Sequence, residues 1–373
     1  MREKISHRLV LVGAGHTHAM LILRIPEIKS QGISVSVISP HDHQFYSGMG
    51  PGMLGGCYGP EELSIPARRL VESRAGTFVK DRVVHVDAGL KLLTLQSGAN
   101  ITYDTASFNI GSEVSFKTPP GPDAQDIFTV KPICNLLSAR RRILELSRDG
   151  KVRLAVVGGG PAGLEIAANA WEASHQHGGH GCSMRLYSGR KFLRGNPERV
   201  RSIARMAMEK RGIEIVEGSR VQEITGRKVI LEDGSISPED VIFLAPGIKP
   251  PSLFLKSGLP TGPDGGLRVN RFLQCVDHPE LFGSGDCIFF QEAPLDKVGV
   301  YAVRQSPVLF HNLQAGLLGK PLKNFSPGGK YLLAYNLGAG RGIAHRGKLA
   351  FDGRLAFWIK NYLDTKFMKK FQL

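Results

Sequence analysis

Cysteine is scarce and its few copies are scattered. Cys57, Cys134, Cys182, Cys275 and Cys287 are odd in number, so they do not build the dense framework of a small secreted domain, and a reducing, cytoplasmic setting is expected. No C-x-x-C or C-x4-C pair occurs, which argues against a reductase relaying electrons through a disulfide. A run of about 18 apolar residues is also missing, which excludes a conventional transmembrane helix. The first apolar run, Leu9 to Val12, leads straight into GAGHTH without an A-x-A-like site, so no signal peptide is expected. Acidic residues are in deficit, 33 against 48 Lys and Arg, for a net charge of +15. Such a field attracts polyanions, anionic membrane surfaces and phosphorylated cofactors without choosing among them. The basic residues are dispersed, with no zinc finger, recognition helix or aromatic RNP-like run, so no specific nucleic-acid partner is expected.

Glycine, by contrast, is abundant, at 45 of 373 residues, without triplet repeat or low-complexity tract. Many backbone positions therefore need tight turns or close ligand approach, as in a nucleotide-binding α/β enzyme. At about 150 residues per domain the length suggests two or three domains.

A strand, a glycine turn and a helix appear twice. Arg8 to Ala19 reads as an apolar strand entering a glycine loop, and the β-branched run ISVSVIS at 33–39 completes a βαβ unit. After residue 150 the pattern restarts with Arg153 to Glu165, a helix EIAANAWEA and a strand MRLYS at 184–188. The fold class is α/β, with two Rossmann-like dinucleotide-binding units.

In the first loop, Gly13 and Gly15 fit G-x-G-x-x-(G/A), but His18 stands at the third glycine position, which implies a looser helix-to-sheet contact. The acid that normally ends the second strand and binds ribose is replaced by Ser39. The second loop, Gly158 to Gly163, carries the whole fingerprint, and two copies in one chain are far more specific than one. Its acid position holds Ser188, followed by Gly189, Arg190 and Lys191. A cation there could accommodate a 2′-phosphate, so NADH and NADPH both stay open; the plainer account is a solvated pair on a loop. Asp286, in the turn Gly283-Ser-Gly285-Asp286, could bond ribityl hydroxyls, or could cap a turn and no more. His175, His177, His180 and Cys182 have metal-ligand spacings in a glycine-rich connection, where an exposed loop is the bland alternative and no metal is assigned. His16, His18, His41 and His43 could gather near the first nucleotide, in a flavin pocket or as ordinary polar packing.

The ordered set GAGHTH, YDTASFNIGS, GGGPAGLE, LAPGIKP and GSGDC resembles the FAD-dependent pyridine-nucleotide oxidoreductase superfamily over almost the whole chain. Within it, FYSGMGPGMLGGCY at 45–58 and GVYAVRQSPVLFHNLQAGLLGKPL at 299–322 resemble the type II NADH:quinone oxidoreductase branch. The nearest likeness is the NADH-dehydrogenase-like module sometimes fused to selenide, water dikinase.

The resemblance implies a glutathione-reductase-like two-domain flavoprotein: an FAD domain at 1–115 and 247–317, an NAD(P)H domain at 116–246, and a C-terminal interface or membrane-surface segment at 318–373. FAD would contact Gly13, Gly15, His16, Thr17, His18, Ser39, Ser47, Gly48, Pro51, Gly111, Gly285 and Asp286. The helix beginning near Val300, with Tyr301 and Ala302, would aim its N-terminus at the flavin pyrimidine. NADH or NADPH would lie on Gly158, Gly160, Pro161, Ala162 and Gly163, with Ser188, Arg190 and Gly247. Glu165 would sit where nicotinamide meets flavin, unless it only satisfies a helix dipole. Gln305 and Ala302 are what this chain keeps of the branch's A-Q-x-A-x-Q-Q quinone run.

Hydride would then pass to flavin, and two electrons to a quinone-like acceptor. A sulfur or selenium acceptor, or a non-catalytic flavin-binding redox sensor, are the alternatives. A bound flavin spectrum would disfavour a nucleic-acid binder, and bleaching by NAD(P)H a sensor. The run FWIKNYLDTKFMKKF mixes aromatics and lysines without one clean stripe; it reads as a membrane-surface element, or as a helix packed over the FAD domain with solvated lysines. The short last segment favours a monomer or weak homodimer.

Overall fold

The computed structural model describes residues 7–115 and 126–372. Residues 1–6, 116–125 and 373 lie outside the described residues, and the expected boundary at 115/116 falls at that edge.

Two five-stranded parallel sheets dominate. The first runs in the order 281–283, 105–108, 7–12, 33–39, 77–80, and the second in the order 127–129, 241–244, 152–157, 182–189, 213–217. Their central strands are near-continuous apolar runs because both faces are covered: Leu9 to Val12 and Leu154 to Val157 are all buried. Register is set by the same residues, with Leu9 opposite Val35 on one side and Thr105 on the other. In each sheet the chain steps to one side of the central strand and later to the other. The carboxyl end of that strand is therefore a topological switch point, where α/β sheets leave a crevice for ligands. Each fingerprint loop begins there.

Three antiparallel three-stranded sheets flank this frame, formed by 83–87, 92–95 and 100–102, by 221–225, 228–231 and 236–238, and by 333–336, 342–346 and 349–353. Glu113–Val114 pairs antiparallel with Ile248–Lys249 where the chain crosses between the large sheets. A 19-residue helix, Gly299–Leu317, is tied to the first fingerprint helix, His16–Ile22, where the Thr17 hydroxyl donates to the Ala302 carbonyl at 2.9 Å.

In the C-terminal helix, Arg354–Met368, and the turn after it, Lys366, Lys369 and Lys370 are exposed as expected, and Lys360 is the exception. Lys360 and Asp364 are buried along with Ala356 and Phe367, while Leu355, Trp358, Tyr362 and Leu363 are exposed. The sidedness is real but inverted, because Lys360 finds a carboxylate one turn on and a backbone carbonyl from the 46–51 loop. No described helix is long and apolar enough to cross a membrane.

Candidate functional site

The first fingerprint loop is organised by a residue that the motif does not contain. Gly13 adopts φ +86°, and a side chain there would collide with the Asn109 carbonyl. Gly15 lies against the Asn109 side chain. The Asn109 amide oxygen accepts the Thr17 and His18 N–H groups at 3.1 and 3.4 Å, and its nitrogen donates to the Ser284 carbonyl at 2.8 Å. One side chain thus locks the fingerprint helix to the Gly283–Asp286 turn. Asn109 stood inside the NIGS segment, but only Gly111 of that run was singled out; Gly111 lies in the open turn beyond.

His18 does not loosen the helix-to-sheet contact; its fully buried ring fills it. The ring lies 2.7 Å from the Gly13 carbonyl through Nδ1 and 2.9 Å from the Ser107 hydroxyl through Nε2. Burial pulls its pKa down to about 4, so the ring is neutral. A carbonyl can only accept, which makes Nδ1 the protonated nitrogen and Nε2 the acceptor of the Ser107 hydroxyl. The four histidines do not form one cluster. His41 and His43 are exposed, while His16 packs edge-on against Tyr46 and Phe367. Ser39 is buried, and its hydroxyl turns back to the His41 carbonyl at 3.2 Å.

Asp286 sits at the centre of a small polar group. Its Oδ2 accepts the Ser112 hydroxyl at 2.9 Å and the Lys131 ammonium at 3.1 Å, and Lys131 also donates to Ser112 at 2.6 Å. Burial alone would raise this carboxyl, but the Lys131 charge and the two hydrogen bonds outweigh it and hold the pKa below the ordinary value. The adjacent Gly285 N–H donates to the Gln305 carbonyl oxygen at 2.7 Å, so Gln305 is committed to shaping this turn. The side-chain amide nitrogen of Gln305, the Ser284 hydroxyl and the His16 Nε2 are buried without a partner among the described residues. Three orphaned polar atoms on and around one turn suit a polar dinucleotide and not an apolar filling. Asp286, Gly285, Tyr301 and Gln305 line one cleft. Ser47, Gly48 and Pro51 lie on the loop and short helix opposite the C-terminal helix.

The second fingerprint fits its ligand class more openly. Gly158 has φ +132° against the Ala245 carbonyl, and Gly163 touches the Gly158 carbonyl, so strand and helix approach as only glycine allows. The helix Pro161–Ser174 has no side-chain cap, which leaves the first donors and the positive end of the dipole for pyrophosphate. Gly160, Pro161 and Ala162 form that terminus, and Gly247 lies on an exposed turn after the strand 241–244. Ser188 and Arg190 stand at the end of the neighbouring strand, 182–189.

Glu165 lies on the second fingerprint helix, in surroundings that the sequence does not announce. The Glu165 Oε1 accepts the Asn336 N–H at 2.7 Å. Desolvation raises its carboxyl to about 7; the nearby Lys360 charge opposes that and Asp364 reinforces it. Lys360 donates to the Gly48 carbonyl and to Asp364 Oδ2, both at 2.7 Å, and the Tyr46 hydroxyl donates to Asp364 Oδ1 at 2.9 Å. Burial alone would lower Lys360, but Asp364 and Glu165 outweigh it and keep the ammonium charged. The only trace of this group in sequence is the four-residue spacing of Lys360 and Asp364.

All five cysteines are free, and Cys287 is buried with its thiol against the Ser284 carbonyl. His175 stacks on Trp171 at 4.0 Å, and no three His, Cys, Asp or Glu among the described residues converge to hold a metal.

A model of the pyridine nucleotide-disulphide oxidoreductase family matches residues 7–312. The chain is 26% identical over 279 residues to a ferroptosis suppressor protein 1 of Taeniopygia guttata, covering 71% of this chain and 69% of that one. It is 25% identical over 276 residues to a demethylphylloquinone reductase of Synechocystis, covering 70% and 67%. In fold it is similar to a sulfide:quinone oxidoreductase of Aquifex aeolicus, with a TM-score of 0.80, 16% identity and coverage of 98% and 91%.

Proposed function

We propose a function for a chain that belongs to the pyridine nucleotide-disulphide oxidoreductase family: it is an FAD-dependent NAD(P)H dehydrogenase of the type II, quinone-reducing kind. The observation that carries this reading is a pair of parallel sheets in one chain, each with a glycine loop at its switch point, with no cysteine pair present to carry electrons elsewhere. FAD, when bound, supplies exchange of a hydride and of two electrons. The residues that would hold it are Gly13, Gly15, His16, Asn109, Ser284 and Asp286, in a lobe formed by 1–115 and 247–317. The 158–163 loop and its open helix terminus would hold the pyrophosphate of NAD(P)H, in the lobe 116–246.

Glu165 handles the proton. A quinone that accepts two electrons also takes up two protons, and a carboxyl poised near neutrality can hold one of them. Its Oε1 is fixed by Asn336, which leaves Oε2 to carry the proton. Lys360, held by Gly48 and Asp364, offsets only part of the burial that raises the Glu165 carboxyl.

Below about pH 7 Glu165 is the donor acid, and above it the carboxylate. Steady-state quinone reduction should therefore fall as pH rises through about 7. In Glu165→Gln that break should vanish and turnover drop by about a hundredfold, with FAD content unchanged. An identical pH break in the variant would remove Glu165 from this role. Normal bleaching of the flavin by NAD(P)H with no reoxidation by any short-chain quinone would reject the quinone acceptor and favour a sulfur or selenium species.

The exposed side of the C-terminal helix supports peripheral attachment to an anionic membrane face. Leu349, Phe351, Leu355, Trp358 and Tyr362 are exposed on the strand 349–353 and the helix after it, Trp358 stacks on Tyr362, and Lys366, Lys369 and Lys370 are exposed on the same helix and the turn that ends it. Aromatic and cationic side chains together suit the headgroup boundary. Native protein should sediment with phosphatidylglycerol vesicles but not with phosphatidylcholine ones, and Trp358→Ser with Leu355→Ser should weaken this about tenfold. Concentration-dependent dimers lost in the same variant, without vesicle binding, would assign the surface to a second copy instead.

A further inference from the structure

We propose that the nucleotide this chain selects is NADPH, with its 2′-phosphate held by Arg190 and Arg220 beside Ser188. The inference deepens the reading of the 158–163 loop as a nicotinamide-dinucleotide site and rests on it.

The argument begins at the end of the strand 182–189. Ser188 packs directly against the fingerprint turn, since a methyl group on Gly159 would collide with the Ser188 side chain. Ser188 is thus at the place where a strand-end carboxylate would take the ribose hydroxyls. It has none to offer, and its buried hydroxyl has no protein partner.

The adjacent strand ends in Glu217, opposite Gly189. That carboxylate is not free for ribose either. Its Oε1 accepts the Phe192 N–H and its Oε2 the Arg205 guanidinium, both at 2.6 Å. These bonds and the Arg205 and Lys191 charges outweigh burial and hold its pKa down. An NADH ribose would therefore meet no available acid at this strand pair.

Cations take the place of the acid. Arg190 follows Gly189 directly, and the stem of Arg220 lies over Gly189, with its Cγ 3.4 Å from where a Gly189 Cβ would stand. Both arginines are exposed, and neither guanidinium makes a hydrogen bond or ion pair among the described residues. Arg153, Arg185 and Arg205 of this lobe are engaged, with Asp240, with Glu214 and Glu239, and with Glu217. Arg194 and Arg199 are as free among the described residues, but only Arg190 and Arg220 flank Gly189, directly or through its Cβ position. Two unpaired cationic side chains beside the same glycine favour a dianion within reach of both. A phosphate monoester answers that charge and geometry, because guanidinium donates two parallel bonds to its oxygens. The orphaned Ser188 hydroxyl supplies a further donor.

The test is equilibrium binding by calorimetry to the purified flavoprotein, with NADP⁺ against NAD⁺, and with adenosine 2′,5′-bisphosphate against 5′-ADP. The second pair isolates the phosphate from nicotinamide and from turnover. The 2′-phosphorylated member of each pair should bind at least about thirtyfold more tightly, and the difference should shrink as salt is raised. Arg190→Ala and Arg220→Ala should each lower the NADP⁺ to NAD⁺ affinity ratio about tenfold. Ser188→Asp should reverse the preference. Equal binding of NADP⁺ and NAD⁺ would overturn the proposal and leave the dehydrogenase reading standing. Binding of neither would overturn both.

Discussion

Asp286→Ala is expected to purify with less than about a tenth of the native flavin while still binding the nicotinamide nucleotide. The carboxylate stands at the junction of three segments: its own turn, the Ser112 hydroxyl and the Lys131 ammonium. Removing it leaves Lys131 half-buried with no counter-charge. It also deletes the acceptor best placed for ribityl hydroxyls. A hydrogen bond to a charged group contributes about 1.5–3 kcal/mol, so losing even one lowers FAD affinity ten- to a hundredfold. Among the described residues Asp286 meets the 116–246 lobe through Lys131 and bonds no strand of its sheet, and NADP⁺ calorimetry serves as the control for folding. Asp286→Asn, which keeps the shape and the acceptor oxygen, should retain more flavin than the alanine variant. A visible spectrum of Asp286→Ala at full native occupancy would show that the polar turn does not hold the cofactor.

His18→Gly should destabilise the protein, although it restores the third glycine of the fingerprint. In a typical chain that glycine lets the helix approach the sheet; here the approach is set by an imidazole bonded on both sides. The substitution opens a cavity, strands the Ser107 hydroxyl and places glycine inside a helix. Together these effects amount to about 3–5 kcal/mol. Denaturant unfolding followed by flavin fluorescence reads the loss directly, and a variant as stable as the parent would refute the bridging role.

The acid sensitivity of the parent has a definite sign. A histidine free in the unfolded chain titrates near 6.5, whereas burial holds folded His18 at about 4. The unfolded state therefore binds the extra proton first, and stability falls as pH drops through that window. His18→Gly should lose its share of this dependence and keep the share of His16, whose burial also brings it to about 4.

Both central strands, both glycine loops and the parallel sheets were readable because their signals are local: an apolar run, a turn and a helix within about twenty residues. The site was readable only where it coincided with such a motif, as at Gly158 or Asp286. Asn109 acts on Thr17 and on Ser284, far away in the chain in both directions, and nothing in its neighbours announces that. Gln305 also has a tie the sequence does not show, its side-chain Oε1 accepting the Gly285 N–H. Nothing in the run 357–371 sets Lys360 apart from its other lysines, because its partners include the Gly48 carbonyl, three hundred positions earlier. Composition has no access to such pairings; only the closed tertiary structure creates them.

The two large sheets are nested rather than successive. Strands of the second sheet all lie between residues 127 and 244, whereas the first sheet needs 281–283 beside 105–108. On the ribosome the inner sheet has all of its strands while the outer one still lacks an edge. The outer crevice, the Asn109–Ser284 lock and the Asp286 turn therefore cannot be completed until the whole insert has been synthesised. A nascent chain becomes competent to retain flavin only after the whole nicotinamide lobe has emerged, so fragments released early carry no light-absorbing, oxygen-reactive cofactor.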